Sequence, residues 1–454
     1  MRVLLLAMCR VMLRIFFRRI EVAGAEHVPE GGKVMFALNH PNGLIDPLFI
    51  LCLAGRPVSF LAKAPLFSMP VVSYFVRTFR CLPVYRKQDQ QDPEKNRATV
   101  KEAIELLSSG NALALFPEGT SHSNPRLKPL RSGAARIALA ATAASEEPAV
   151  RVVPAGLYYS RKHAFRSNAL LLFGEALVTE KVELDDGFEP AREQVNVLTE
   201  ELARRIAQLT LQADDADLIA LAKSAERIVN AVARDDGDVE PPDMAQRLDL
   251  RRRLLEGYQK LEDRADVARL VERIRAHEAT MRSLGLKLDA PLRYERREVL
   301  SYAIRTALYT ALLLLPALVG LLTNYVTYRI VGYLAFRYAK DSLDVAATAK
   351  VLGGFLLFPA SWIALGVAAA FAFGPLWLVF VVLGCPLLGY AALVFTERVT
   401  SATHHTRAWW LPLTHRDFRR RVIDERRSVR DEVVRLSRLL DEPRASAPPV
   451  SGAS

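Results

Sequence analysis

The nine residues 39–47, NHPNGLIDP, stand between two apolar runs. Val34 to Leu38 before them reads as a buried strand, and Pro47 to Leu51 after them as the start of a helix. Pro41 and Gly43 break the chain between the two. A His and an Asp therefore share one short loop at a strand end. Such a pair suits a general base: imidazole takes a proton near neutral pH, and a carboxylate fixes its tautomer. A second stretch, FPEGTS at 116–121, follows the apolar run Ala112 to Leu115. The two loops are expected to meet over one sheet edge and form an active site.

Outward from these loops, residues 21–212 alternate strand-like and helix-like segments. Strands are expected at 33–39, 57–63, 81–85, 111–116, 151–157 and 169–174. Helices are expected at 46–54, 66–79, 93–109, 131–145 and 190–212, the third opening at Asp92-Pro93-Glu94 with Asp as cap and Pro in the first turn. This alternation predicts an α/β domain with a mixed, partly parallel sheet flanked by helices. In such sheets functional loops gather beyond the carboxyl ends of strands, where both marked loops fall.

The charge is distributed unevenly. The chain is 51% hydrophobic and 24% charged, yet residues 213–300 are rich in Asp, Glu, Arg and Lys while 351–396 hold no charge at all. A charged helical segment and a membrane segment are thus expected in one chain. The segments 217–234, 243–262 and 264–283 are helix-periodic, and their charges read as solvated faces. The net charge of +11 suits an anionic membrane face or a phosphate-bearing substrate. Nucleic acid is set aside because no nucleic-acid motif accompanies the charge. Cys9, Cys52, Cys81 and Cys385 are scattered among apolar residues, as neither a disulfide framework nor a metal pattern would be. No cluster has metal-site spacing, and no Walker or dinucleotide glycine pattern occurs.

Residues 1–20 place Arg10, Arg14 and Arg18 four apart among Leu, Met, Ile and Phe, which predicts an amphipathic helix in the membrane interface. At the other end, 301–397 is expected to be a membrane region. Its spans are placed near 351–373 and 376–396, turning at Gly374-Pro375, and 302–340 spans or is re-entrant around Pro316. The tail 398–454 is basic, with Trp409-Trp410 as interface anchors, and is expected to be disordered from 443 onward. A tail and a catalytic domain both on the cytoplasmic side require an even number of spans.

Taken together, NHPNGLIDP, LAKAPLF at 61–67, LPVYR at 82–86, FPEGTS and VPAGLYY at 153–159 resemble, in order and spacing, the glycerolipid acyltransferases. The resemblance covers roughly residues 20–212. That family commonly has four residues between the His and the Asp, and here there are five, Pro41 to Ile45. The longer spacing, with Asn42 and Pro47, and the following SHSNPRLKPLRSG at 121–133 resemble the fungal-type glycerol-3-phosphate and dihydroxyacetone-phosphate acyltransferases. The resemblance implies an acyl donor that is acyl-CoA or acyl-carrier protein, no cofactor, and a phosphate-bearing glycerol acceptor met at a membrane. It implies catalysis by His40 and Asp46. It further implies acceptor binding by Arg86, Glu118 and Gly119; the phosphate's need for cations adds Lys63, Lys128 and Arg131 as candidates, and Thr120, also a substrate-binding candidate, could cap the following turn. His122 and His163 are given no role, and Val153-Pro154-Ala155-Gly156 of VPAGLYY is expected to shape the acyl-chain or thioester groove.

Elementary chemistry asks for the same parts. A thioester is already activated, so the enzyme deprotonates a hydroxyl, holds it against the thioester carbon and stabilises the oxyanion. Two rival readings stand beside glycerol-3-phosphate acylation: a lysophospholipid acyltransferase, and a non-catalytic membrane scaffold or lipid-binding protein. The oligomeric state is left open.

Overall fold

A computed structural model describes residues 2–69, 72–85, 93–144, 149–185, 189–236, 241–290, 292, 296–339, 343–414 and 416–441. The expected helix cap Asp92, the expected site residue Arg86 and the tail from 443 lie outside these residues. The chain divides into two units, residues 1–212 with 323–385, and residues 213–322 with 386–454.

In chain order the first unit begins with α1 (Arg2–Phe16), β1 (Phe17–Ala23), β2 (Val34–Leu38), α2 (Ile45–Leu53), β3 (Val58–Lys63), α3 (Val72–Thr78) and β4 (Leu82–Val84). It continues with α4 (Pro93–Ser108), β5 (Ala112–Leu115), α5 (Gly133–Ala143), β6 (Arg151–Tyr159), β7 (Ser167–Phe173), β8 (Leu177–Val178) and α6 (Arg192–Gln208). The eight strands form one sheet in the order β1-β7-β6-β2-β5-β3-β4, with β8 beside β6. Strand β2 lies at its centre, parallel to β5 on one side and β6 on the other. The sheet is mixed, because β6 and β7 are antiparallel.

The central strands read as unbroken apolar runs because both faces are covered. Along β2, Val34, Phe36 and Leu38 point into one core with Cys9, Leu13 and Phe16 of α1 and Phe49 and Ile50 of α2. Met35 and Ala37 point into the opposite core with Leu107 of α4, Ile137 of α5 and Ile206 of α6. The result is three layers, helix on sheet on helix, with all five β2 residues at 0% exposure.

All six expected strands are present, and two more were not foreseen. β8 has two residues. β1 replaces the end of the expected 1–20 helix: α1 stops at Phe16, and Phe17–Ala23 pairs in parallel with β7 at the sheet edge. Arg18 therefore does not share a helix face with Arg10 and Arg14. Phe17 is buried while Arg18, Arg19 and Val22 are exposed, as a strand paired on one side only allows.

The second unit contains α7 (Ala216–Asp235), α8 (Met244–Leu261) and α9 (Ala265–Ser283). α8 opens with a capping box: Asp243 accepts from Gln246 N–H, and the Gln246 side chain accepts from Asp243 N–H. The long helices are α10 (Arg296–Ala339), α11 (Leu343–Phe373) and α12 (Leu376–Thr414), and the described chain ends in α13 (Arg416–Asp441). α13 packs with α7 and α9 around Ile228, Ile274, Val422, Val429 and Leu436.

Two expectations change here. The charges of 213–300 are not only solvated faces: Glu226 is fully buried and paired with Arg247 and Arg251. Arg426, expected in an interfacial tail, is wholly buried and paired with Asp235 at 3.0 Å. A buried guanidinium needs partners, and Arg426 also donates through its terminal nitrogens to the carbonyls of Ala290 and Leu288, which leaves only its Nε without an acceptor among the described residues.

Among the described residues three helices are long and apolar enough to cross a membrane: Val299–Arg337, Thr348–Phe373 and Leu376–Ala402. The first is one continuous helix through Pro316 rather than an interrupted segment. Gly374, with φ of +102°, makes the expected turn between the other two. An even number of spans is met by two of these helices and not by all three.

Candidate active site

The carboxyl ends of β2, β5 and β6 lie along one sheet edge because the three strands are parallel neighbours. From β2 the chain enters the NHPNGLIDP loop, from β5 it enters FPEGTS, and β6 ends at Tyr159. β6 runs past the end of β2, since Leu38 pairs with Ala155 four residues earlier. The Asn39 side chain bridges this overhang. Its Oδ1 accepts from Leu157 N–H at 2.7 Å and its Nδ2 donates to Leu157 O at 3.1 Å, as a further peptide unit of β2 would. The backbone of residue 39 is thereby released to turn away into the loop.

Within the loop, Gly43 takes a φ of +43°, a left-handed conformation that favours glycine. Ile45 N–H bonds back to Asn42 O at 3.0 Å, and α2 begins. Asp46 thus falls in the first turn of a helix, followed by Pro47, a placement that the backbone dipole and the missing proline N–H both favour. The five-residue spacing closes without difficulty: His40 Nδ1 lies 2.8 Å from Asp46 Oδ2.

Asp46 is 0% exposed, so its charge needs partners. It accepts from His40 Nδ1–H, from Asn42 N–H at 2.7 Å and from the Tyr159 hydroxyl at 2.6 Å. A carboxylate only accepts, so the proton of the His40–Asp46 bond sits on Nδ1. Among the described residues no hydrogen bond engages Nε2, whose lone pair is left for a proton from elsewhere. Burial pushes the Tyr159 hydroxyl well above its ordinary pKa, and the Asp46 charge and hydrogen bond push the same way, so it stays a donor. The His40 ring stacks on Phe116 at 4.0 Å between centroids and 14° between planes.

Glu118 ties the two loops together. Its Oε1 accepts from His40 N–H at 2.8 Å, and its Oε2 accepts from Lys128 N–H at 3.0 Å. The ring Nε2 of His122 donates to the same Oε2. His122 Nδ1 accepts from Asn124 N–H, which leaves the ring proton on Nε2, and His122 N–H donates to His40 O. Both carboxylate oxygens are therefore engaged by donors inside the protein. Gly119 has a φ of +73°, and a Cβ there would lie 2.5 Å from Arg131 Nε. The Arg131 side chain thus stands directly over Gly119.

Of the expected site residues, His40, Asp46, Glu118, Gly119 and Arg131 come together. Thr120 donates to Ser121 O, Lys128 contributes its backbone N–H, and Lys63 ends β3 beside β5 on the same sheet edge. Three residues went unforeseen. Tyr159 lay inside VPAGLYY, and its phenol could be matched to Asp46 only by strand order. His122 has no role in the sequence reading, although its spacing of four from Glu118 is the available signal. Asn39 gave none beyond its place next to His40. Among the described residues no group of three or more His, Cys, Asp and Glu could hold a metal ion.

Residues 19–158 match the family described as Acyltransferase, and residues 240–442 the Glycerol-3-phosphate acyltransferase 2 C-terminal domain. Glycerol-3-phosphate O-acyltransferase 2 of Saccharomyces cerevisiae is 25% identical over 381 residues, which cover 61% of this chain and 50% of that protein. An uncharacterized acyltransferase of Schizosaccharomyces pombe is 23% identical over 441 residues, 78% of this chain and 64% of that one. Glycerol-3-phosphate O-acyltransferase 1 of Saccharomyces cerevisiae is 22% identical over 358 residues, 60% of this chain and 46% of that one. The chain thus spans between 46% and 64% of the length of these relatives. By these matches the chain carries an acyltransferase domain over 19–158 and a glycerol-3-phosphate acyltransferase 2 C-terminal domain over 240–442, and as a whole it is similar to the glycerolipid acyltransferases.

Proposed function

We propose that the protein is a membrane-bound O-acyltransferase that moves a fatty acyl group from acyl-CoA or acyl-carrier protein to a hydroxyl of glycerol-3-phosphate or dihydroxyacetone phosphate. The observation that carries this reading is the His40 ring, held by buried Asp46 through Nδ1 with Nε2 left free. Nε2 takes the proton of the acceptor hydroxyl as its oxygen bonds to the thioester carbon. The tetrahedral intermediate collapses, the carbon–sulfur bond breaks, and the leaving thiolate takes the proton from His40. Arg131 over Gly119, with Arg86, Lys63 and Lys128, supplies cations for the acceptor phosphate.

The membrane side of the reading rests on α1 and the three apolar helices. In α1, Leu4, Met8, Val11 and Ile15 repeat at helical spacing and are exposed, while Cys9, Leu13 and Phe16 are buried. An exposed apolar stripe on a helix with Arg10 and Arg14 suits the interface of an anionic bilayer, with the catalytic domain on the cytoplasmic side.

The test is an assay of the full chain in membranes with a labelled acyl thioester and a panel of acceptors. Glycerol-3-phosphate is expected to be acylated, and His40→Ala to abolish transfer while the protein still inserts and folds. Full activity of that variant overturns the assignment of the base. Transfer to lysophospholipids alone moves the protein to the second reading.

A further inference from the structure

The bulge of the catalytic loop is held from outside the sheet. Asn42 N–H donates to Asp46 and Ile45 N–H to Asn42 O, but Leu44 N–H between them has its acceptor 304 residues away. That acceptor is the Thr348 hydroxyl, at 3.1 Å, in the first unit like the loop itself. Thr348 is also the first residue of the apolar stretch Thr348–Phe373 in α11. Two neighbours on the same helical turn reinforce the contact. Lys350 Nζ donates to His163 O at 2.8 Å, and the adjoining Lys162 O accepts from Asn42 Nδ2 at 3.2 Å. Val351 is buried in the core that holds Ile45, Leu48 and Phe49 of α2. One turn of a membrane-type helix therefore reaches the loop directly, through the turn at 161–163, and through the core beneath it.

We propose that Thr348 is a positioning residue for acyl transfer, which fixes the NHPNGLIDP bulge and through it the Asp46–His40 pair. The proposal rests on the acyltransfer reading above. Leu44 is the residue immediately before α2, with helical φ and ψ of −72° and −8°. Releasing its N–H frees the turn whose two ends are Asn42 N–H, a donor to Asp46, and Ile45, the first residue of the helix that carries Asp46. The ring of His40 takes its orientation from that carboxylate. A hydrogen-bonded contact at the start of an apolar helix thereby sets the geometry of the base.

The experiment compares wild type, Thr348→Val and Thr348→Ser as full chains in lipid nanodiscs, with acyl transfer and amide hydrogen exchange as separate readouts. Thr348→Val keeps the shape and removes the hydroxyl. It is expected to lower kcat about tenfold with both KM values within about twofold, as loss of one positioning hydrogen bond implies. It is also expected to speed deuterium uptake in the peptide containing Leu44. Thr348→Ser, which keeps the hydroxyl, is expected to retain wild-type kcat and slow uptake at Leu44. Wild-type kcat in Thr348→Val, or unchanged uptake at Leu44, overturns the proposal. Equal loss of kcat in Thr348→Ser also overturns it, because packing alone would then explain the effect. A wild-type chain that transfers no acyl group to any acceptor overturns the acyltransfer reading instead, and uptake at Leu44 then decides the contact by itself.

Discussion

The Tyr159 hydroxyl donates a 2.6 Å hydrogen bond to Asp46 Oδ1, while Oδ2 of the same carboxylate accepts from His40 and from Asn42 N–H. The phenol thus occupies the oxygen that the histidine does not use. With both oxygens engaged, the carboxylate cannot rotate away from the ring. Tyr159→Phe removes this bond without changing the packing against Phe17 and Phe49. The expected result is a loss of about 1–1.5 kcal/mol of transition-state stabilisation, about tenfold in kcat, with KM for the acceptor unchanged. Steady-state kinetics at saturating donor measures both.

Gly119→Ala is expected to damage fold and activity together. The φ of +73° strains any residue with a side chain, and the new methyl would meet the Arg131 guanidinium arm. The strain alone costs about 1–3 kcal/mol. Thermal unfolding should fall by several degrees, and the acceptor KM should rise because Arg131 is displaced.

The Asp235–Arg426 pair predicts a large stability effect far from the chemistry. Arg426 has 0% side-chain exposure and its partner 1%. Asp235→Asn removes the counter-charge and leaves the guanidinium buried, which costs about 3–5 kcal/mol. Replacing both residues by apolar ones of similar volume should recover most of that loss. Denaturant unfolding of the two variants checks the ordering.

His277 makes the helical unit sensitive to acid. Burial and the neighbouring Arg426 push its pKa down to about 4 from the ordinary 6.5. The unfolded chain therefore binds a proton near pH 6.5 that the folded chain refuses until about pH 4. Stability is full above the unfolded value and falls as the pH drops from 6.5 towards 4, by about 3 kcal/mol in all. His277→Gln should flatten this dependence, which thermal unfolding between pH 7 and 4.5 measures.

How much of this was legible depends on how local each signal is. The strand before His40, the glycine and prolines of its loop, and the carboxyl-edge position of FPEGTS all follow from short stretches of sequence. The departures are long-range. β1 looked like the end of a helix because Arg18 continued the spacing of Arg10 and Arg14, and only its pairing with β7 makes it a strand. Arg426 looked like one more basic residue in a charged tail, since nothing nearby marks Asp235 as its partner. The donors that converge on Glu118 come from residues 40, 122 and 128, which no single stretch of sequence groups together. The overhang of β6 past β2 could not be read locally, and it is what delivers Tyr159.

That overhang also governs when the site can come into being. His40 and Asp46 are six residues apart, but Glu118 lies 78 residues from His40 and Tyr159 lies 113 from Asp46. Strand pairings of that separation close late, because the loop entropy must be met before the contacts return it. A nascent chain that has passed β2 and β5 holds the ring and the carboxylate without the phenol. On the acyl-transfer reading proposed above, the full rate therefore arrives only with the docking of β6, which makes that rate a reporter of sheet assembly beyond β2 and β5.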